Sequence, residues 1–458
     1  MSSTSNNPLP AGNVEFPLLR GHAPGDTIAW HNGRAISVAE FLRDVHAVAA
    51  RLPAGQYAIN LCEDRYWFLV GFAALLVNNQ TSLLPPSRAG RVIDEIAADY
   101  RNTFYLCNSS QPGIGAPLYR IDDMAPHDGN ATHAIPLIPG RHLAAIVFTS
   151  GSTGKPRPNK KYWQDLITGA RMKQKRFSFG EGGNKHTIIA TVPPQHMYGL
   201  ETSILNPLIN GVSVYTNKTF FPADVHAALQ AVKAPRVLIT TPMHLKSCLA
   251  AGLEWPATDF IISATAPLDQ ILAGQVETAF NCPVLEIYGC TETGSLATRR
   301  TLTDKHWLLY EGLTIRKRAT GSVASGPNFP GEVPLHDIIE PVSDRQFNLH
   351  GRHADMINIA GKRASLEDLN IRLRSIEGVL DAAFIAPEPK NDTTQRLAAL
   401  VVAPGLDAAA IRNQLAHLID PVFLPRPLFL IASLPRNETG KLPRSVLLDI
   451  LRTVRQEA

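Results

Sequence analysis

Seven consecutive residues, Thr149-Ser150-Gly151-Ser152-Thr153-Gly154-Lys155, combine hydroxyls, two glycines and a lysine directly after the apolar run Ala144–Phe148. Glycine lets a backbone approach a ligand closely. Successive backbone N–H groups can form a nest for an anion, and lysine adds a point charge. Phosphate is the natural guest, and a solvated Ser/Gly turn is the alternative. The Walker A motif is excluded by spacing. It needs four residues between its first glycine and the Gly-Lys pair, followed by Ser or Thr. Here only Ser152 and Thr153 separate Gly151 from Gly154, and Pro156 follows the lysine.

Three further stretches carry reactive residue types. PPQHMYGLE (Pro193–Glu201) places His196 and Tyr198 just after a β-branched run. EIYGCTETG (Glu286–Gly294) places Tyr288, Thr291 and Glu292 on a strand-end loop. LPRNETGKLPR (Leu434–Arg444) presents Lys441 from a glycine turn. In open α/β sheets ligands bind beyond the carboxyl ends of strands. The first two stretches and the opening loop can therefore share one cleft.

The elements that must position these groups are legible as alternating strands and helices. Thr187–Pro193, Val237–Pro242 and Asp259–Pro267 are short, β-branched runs suited to buried, mostly parallel strands. Ser37 with Glu40 reads as a capping box, and Val38, Phe41, Leu42, Val45, Val48 and Leu52 follow at helical spacing. Such alternation favours an α/β architecture. Near Gly351–Arg352 the texture changes to the glycine-punctuated, charged run NLHGRHADMINIAGKR. Beyond it Ser365 opens a helix with Leu366, Leu369, Leu373 and Ile376 on one face. AAFIAPE and LAALVVAP read as strands, and DAAAIRNQLAHLI as a helix. The expected division is 1–350 and 351–458, the second a small α+β unit of common domain size.

At 458 residues the chain exceeds one ordinary core. With 45% apolar and 18% charged residues it reads as globular. A net charge of +4 without a long basic run argues against a nucleic-acid partner. No stretch has the length of a membrane span, and the polar start MSSTSNNPLPAGN lacks a signal-peptide core. Five scattered cysteines without a CxxC read as reduced thiols, which fits the cytoplasm. Oligomeric state leaves no mark in the sequence.

Together, TSGSTGKP, YGCTETG, GRHADMINIAGKR and LPRNETGKLPR resemble the motifs of the adenylate-forming superfamily: acyl- and aryl-CoA synthetases, beetle luciferases and nonribosomal-peptide adenylation domains. The similarity runs from about residue 25 to 450, with the four motifs in the family's order. It implies a large N-terminal AMP-binding domain of α/β subdomains and a small, mobile α+β C-terminal lid. It implies ATP and Mg²⁺, and two half-reactions. A carboxylate attacks the α-phosphate to give an acyl-adenylate and pyrophosphate, and a thiol then displaces AMP. An anion meets a polyanion in the first half, so preorganised positive charge is required.

Carried onto this chain, the resemblance makes Thr149–Lys155 the cover of the β- and γ-phosphates. Thr291 looks like the phosphate-contacting hydroxyl and Glu292 like the magnesium ligand. Tyr288 resembles the ring against adenine, within the nucleotide-binding run Glu286, Ile287, Tyr288 and Gly289. Ala264, Thr265 and Ala266 stand in the loop bordering adenine and the acyl pocket, where the family shows Ser-Gly-Ala-Ala-Pro. His196, Met197, Tyr198 and Gly199 match the acyl pocket, with His196 a pocket residue and not a base. Asp337 is in register with the ribose-binding aspartate, although His336 replaces the usual glycine. Arg352 matches the arginine near ribose and phosphate. Lys441 matches the lysine that reaches the α-phosphate during adenylation.

Two departures stand out. Ala354 occupies the usual hinge position, with Asp355 one residue on. Pro158 replaces a glycine after the phosphate loop, in RPNKK (Arg157–Lys161), whose basic cluster reads as a solvated face over a carrier-protein contact. The pocket set lacks a charged anchor, which favours an acyl or aryl acid over an amino acid. The chain looks most like the stand-alone acid ligases of aryl-polyene and xanthomonadin-type pigment pathways. That resemblance implies a hydroxybenzoate-like acid loaded onto an acyl carrier protein. The alternatives are a ligase using free CoA, a nucleotide-binding protein without turnover, and a phosphotransferase.

Overall fold

The computed structural model describes residues 14–108, 117–124, 134–150, 156–180, 183, 185–319, 321–352, 356–359, 362–386, 396–436, 440 and 442–457. An eleven-stranded sheet forms the middle of the molecule. Its centre is parallel: Thr187–Ala190, Arg236–Thr240, Phe260–Ser263 and Val284–Cys290 lie side by side in that order. Their residues alternate between two cores. Ile189, Leu238, Ile261 and Val284 face one cluster, and Ile188, Val237, Ile239, Ile262 and Ile287 the other. A sheet buried on both faces explains why these runs lack a polar side.

After Cys290 the direction reverses. Gly294–Arg300 returns antiparallel to Val284–Cys290, with Cys290 opposite Gly294. The Glu286–Gly294 stretch is thus a tight hairpin and not an open strand-end loop. Trp307–Leu309, Gln346–Arg352 and Asp337–Pro341 extend the sheet on that side. A second, six-stranded sheet has Pro156–Tyr162 at its edge, paired antiparallel with Leu143–Ser150. The edge position explains Pro158: a residue without an N–H is tolerated there. Ser37 and Glu40 form the capping box, with Glu40 N donating to Ser37 Oγ at 3.2 Å and Ser37 N to Glu40 Oε2 at 2.8 Å.

The C-terminal unit has its own cores. In Ala398–Val402, Ala399 and Val401 face the helices Leu366–Arg374 and Ala408–Leu415. Ala398, Leu400 and Val402 face Leu447, Leu448 and Leu451 of the terminal helix Arg444–Glu457. The period of two, read on a strand covered on both faces, gives a three-layer α/β/α sandwich in miniature. The architecture is α/β, with a large N-terminal and a smaller C-terminal domain. No helix among the described residues is long and apolar enough to cross a membrane.

Candidate active site

The hairpin turn after Val284–Cys290 is held from three directions. Lys161 Nζ donates to the Glu292 carbonyl at 2.8 Å. Asn328 Nδ2 donates to the Thr293 carbonyl at 3.2 Å. Glu201 Oε2 accepts from Ser295 N at 3.1 Å and from Ser295 Oγ at 2.6 Å. Glu201 is in turn paired with Lys173 at 2.9 Å, both side chains being buried. Glycine at 294 follows from this packing and from its φ of +72°. A Cβ there would lie 2.6 Å from Glu201 Oε1 and 3.3 Å from Met197 Cε. The turn therefore presents a half-buried Thr291 and an exposed Glu292 from a fixed backbone.

Glu201 comes from an unusual helix. Met197–Gly199 is α-helical, Leu200–Leu205 is a π-helix, and Asn206–Ile209 is α-helical again. Such π segments often occur at functional sites. His196 is at the N-cap position of this run, half-buried. Tyr198 donates its hydroxyl to the carbonyls of Ile262 at 3.0 Å and Thr240 at 3.2 Å. Burial holds that hydroxyl well above the ordinary tyrosine pKa, so it is a neutral tie between strand ends. Gly199 owes its identity to packing: an added Cβ would sit 1.9 Å from the Pro193 carbonyl oxygen.

At the neighbouring strand ends, Ala264 is buried, Thr265 half-buried and Ala266 exposed. Thr265 has φ +79°, an outlying conformation for a β-branched residue. Tyr288 is buried against Trp307 and Phe347, and its hydroxyl donates to Asp337 Oδ2 at 2.7 Å. Asp337 and Arg352 are opposite one another on antiparallel strands. Glu286 differs from its strand mates. Its carboxylate accepts from Leu268 N at 2.9 Å, Arg299 Nε at 2.7 Å and Thr301 Oγ1 at 2.6 Å. The side chain is engaged in a structural ion pair with Arg299.

Thr149 is half-buried near the end of Leu143–Ser150, opposite Arg157, and Ser150 is opposite Pro156. Gly151, Ser152, Thr153, Gly154, Lys155, Ala354, Asp355 and Lys441 lie outside the described residues, as do the side chains of Ser150 and Arg352. Gly440 is described, with Arg436 Nη1 donating to its carbonyl at 2.9 Å. Arg436 also forms a two-pronged pair with Asp381, at 2.7 Å on each side.

The basic cluster is corrected at one residue. Arg157 and Lys160 are exposed, but Lys161 is only 6% exposed. Burial lowers its pKa, opposed chiefly by the charge of Glu201 and also by Glu292 and Asp165. Sequence reasoning missed Lys161, Lys173 and Asn328, because nothing local distinguishes a buried lysine from a surface one. Gln195, next to His196, and Ser263 are also buried, and their side-chain polar atoms find no partner among the described residues.

The groups fit a magnesium nucleotide. Among the described residues no three His, Cys, Asp or Glu side chains gather as metal ligands. A site with one carboxylate, Glu292, suits Mg²⁺ held largely by phosphate oxygens and water.

A family model described as AMP-binding enzyme matches residues 21–316. The 4-coumarate–CoA ligase of Halorhodospira halophila is 28% identical over 336 residues, covering 70% of this chain and 79% of that protein. A 3,4-dihydroxybenzoate–[aryl-carrier protein] ligase of Bacillus anthracis is 22% identical over 317 residues, covering 66% and 73%. The o-succinylbenzoate CoA synthetase of Bacillus subtilis, solved with its acyl-adenylate intermediate, superposes with a TM-score of 0.80. Its identity is 17% and the match covers 95% of this chain and 98% of that one, a likeness of fold.

Proposed function

The chain belongs to the AMP-binding enzyme family, and from that premise we propose that it is an AMP-forming acid–thiol ligase acting on an aromatic acid. It would join the acid's carboxylate to the α-phosphate of ATP, release pyrophosphate, and pass the acyl group to a phosphopantetheine thiol. The observation that carries this reading is the Tyr288–Asp337 hydrogen bond of 2.7 Å, with Tyr288 on the strand that runs into the braced Thr291–Glu292 turn. A nucleoside end and a phosphate end of one site lie on a single strand and its turn.

In this reading Tyr288 flanks the adenine and Asp337 accepts a ribose hydroxyl. Thr291 donates to a phosphate oxygen. Glu292 would hold Mg²⁺, which neutralises phosphate charge when bound. Thr149–Lys155 grips the departing pyrophosphate, and Arg352 adds charge near the ribose. Lys441, carried by the small domain, would bridge the carboxylate and the α-phosphate. A lid of that kind must turn about a hinge, here Ala354 and Asp355. His196, Met197, Ala264, Thr265 and Ala266 would border the acid. The unpartnered Gln195 amide and Ser263 hydroxyl suit a ring hydroxyl. The dihydroxybenzoate ligase among the relatives supports an aromatic acid and a carrier-protein acceptor, and the coumarate ligase supports free CoA.

Acid-dependent exchange of pyrophosphate into ATP tests the proposal over benzoates, cinnamates and fatty acids. Exchange is expected with a hydroxybenzoate-like acid. MgATP binding without exchange on any acid would leave a nucleotide-binding protein without turnover. Competition between CoA and a phosphopantetheinylated carrier protein then identifies the acceptor.

A further inference from the structure

Beneath the Thr291–Ser295 turn lies a set of charges that the reaction as proposed does not use. Lys173 and Glu201 neutralise each other at 2.9 Å. Lys161 is buried beside them at 6% exposure, reaching in from the edge strand Pro156–Tyr162. Among the described residues it has no carboxylate at ion-pair distance, and one of its three donors is engaged, on the Glu292 carbonyl. A buried cation without a paired anion is costly, and its partner is expected from elsewhere. The carbonyl it holds belongs to the residue proposed to carry Mg²⁺.

We propose that Lys161 is a positioning residue for the magnesium–polyphosphate group: it fixes the Glu292 backbone and lends positive charge beneath the bound phosphates. This rests on the ligase reading above. The carbonyls of Glu292 and Thr293 and the N–H of Ser295 are held by Lys161, Asn328 and Glu201, so the turn is preorganised before any ligand arrives. Of the three holders, Lys161 alone brings a positive charge outside an ion pair, balanced only at longer range by Glu201, Glu292 and Asp165. Its effect should therefore follow the charge of the ligand.

The test uses the full chain with Lys161→Met and Lys161→Arg, and calorimetric binding of MgATP and of adenosine, which lacks phosphate. Lys161→Met is expected to weaken MgATP about tenfold or more and adenosine less than twofold. In pyrophosphate exchange it should raise KM for MgATP more than it lowers kcat. Lys161→Arg should restore most of the MgATP affinity. Equal weakening of both ligands, or wild-type MgATP affinity in Lys161→Met, would overturn the proposal. If Lys161→Met does not fold, Lys161→Gln takes its place: selective loss of MgATP affinity supports the role, and equal loss of both ligands or wild-type MgATP affinity overturns it. A wild-type protein that binds MgATP but exchanges no pyrophosphate would instead count against the ligase reading, leaving the Lys161 comparison intact.

Discussion

The Tyr288 hydroxyl reaches Asp337 Oδ2 across 2.7 Å, although their strands are four places apart in the sheet. In a flat sheet four spacings would separate them by roughly 19 Å. The sheet therefore curls on itself, and Tyr288, Trp307 and Phe347 fill the inside of the curl. The bond fixes one carboxylate oxygen of Asp337 across the curl.

Tyr288→Phe keeps the ring and its packing but releases Asp337. A hydrogen bond to a charged group is worth about 1.5 kcal/mol or more, or roughly tenfold in affinity. AMP should bind up to about tenfold more weakly by calorimetry, with the thermal midpoint lowered slightly because the bond also holds the ligand-free fold. Tyr288→Ala should instead lower the midpoint strongly, because it empties the inside of the curl.

The buried Lys173–Glu201 pair makes a stability prediction. Removing one partner strands the other charge, at a cost of about 3–5 kcal/mol. Lys173→Met should show that loss in urea unfolding. Lys173→Met combined with Glu201→Gln should recover part of it, since neither member of the pair is then left charged without the other. The double variant still weakens the grip on Ser295, so exchange activity should remain below wild type even where stability returns.

Much of the fold was legible because it rests on local signals. The Ser37–Glu40 box, the β-branched runs at 187, 237 and 259, and the helix opened by Ser365 depend on periodicity and caps, which are written in adjacent residues. The support of the site was not legible. Lys161, Asn328 and Glu201 approach the turn from three distant segments, and only the folded chain shows that they meet at residues 292–295. Glu286 illustrates the reverse. It sits inside a stretch that resembles a nucleotide-binding motif, yet Arg299 and Thr301 occupy its carboxylate. The motif records a strand, and a residue's place in it does not say whether its side chain is already engaged by the scaffold.

Thr265 stores backbone strain beside the proposed pocket, at φ +79°. A non-glycine residue held in such a region costs on the order of 1–3 kcal/mol. Thr265→Gly should raise stability by about 1 kcal/mol in urea unfolding, less than the strain because glycine gains entropy in the unfolded chain. If the strained loop shapes the site, the same variant should lose affinity for the acid substrate, seen as a higher KM for the acid in pyrophosphate exchange. Higher stability with unchanged KM would make the strain incidental to the site.

Arg436 ties Gly440 to the small domain's sheet. Its guanidinium takes both oxygens of Asp381, and Nη1 holds the carbonyl of Gly440, the residue before Lys441. Gly440 itself faces the large domain: a Cβ there would come 3.5 Å from Met243 Cε. Lys441→Ala is expected to abolish adenylate formation while a supplied adenylate is still converted to thioester. Arg436→Met should shift the same way by about tenfold to a hundredfold, since it keeps Lys441 in the chain but frees the carbonyl of Gly440 before it. Arg436→Lys keeps the charge without the fork that matches a carboxylate, so it should rescue little. A loss shared equally by both half-reactions would show that Arg436 supports the small domain as a whole and does not aim Lys441.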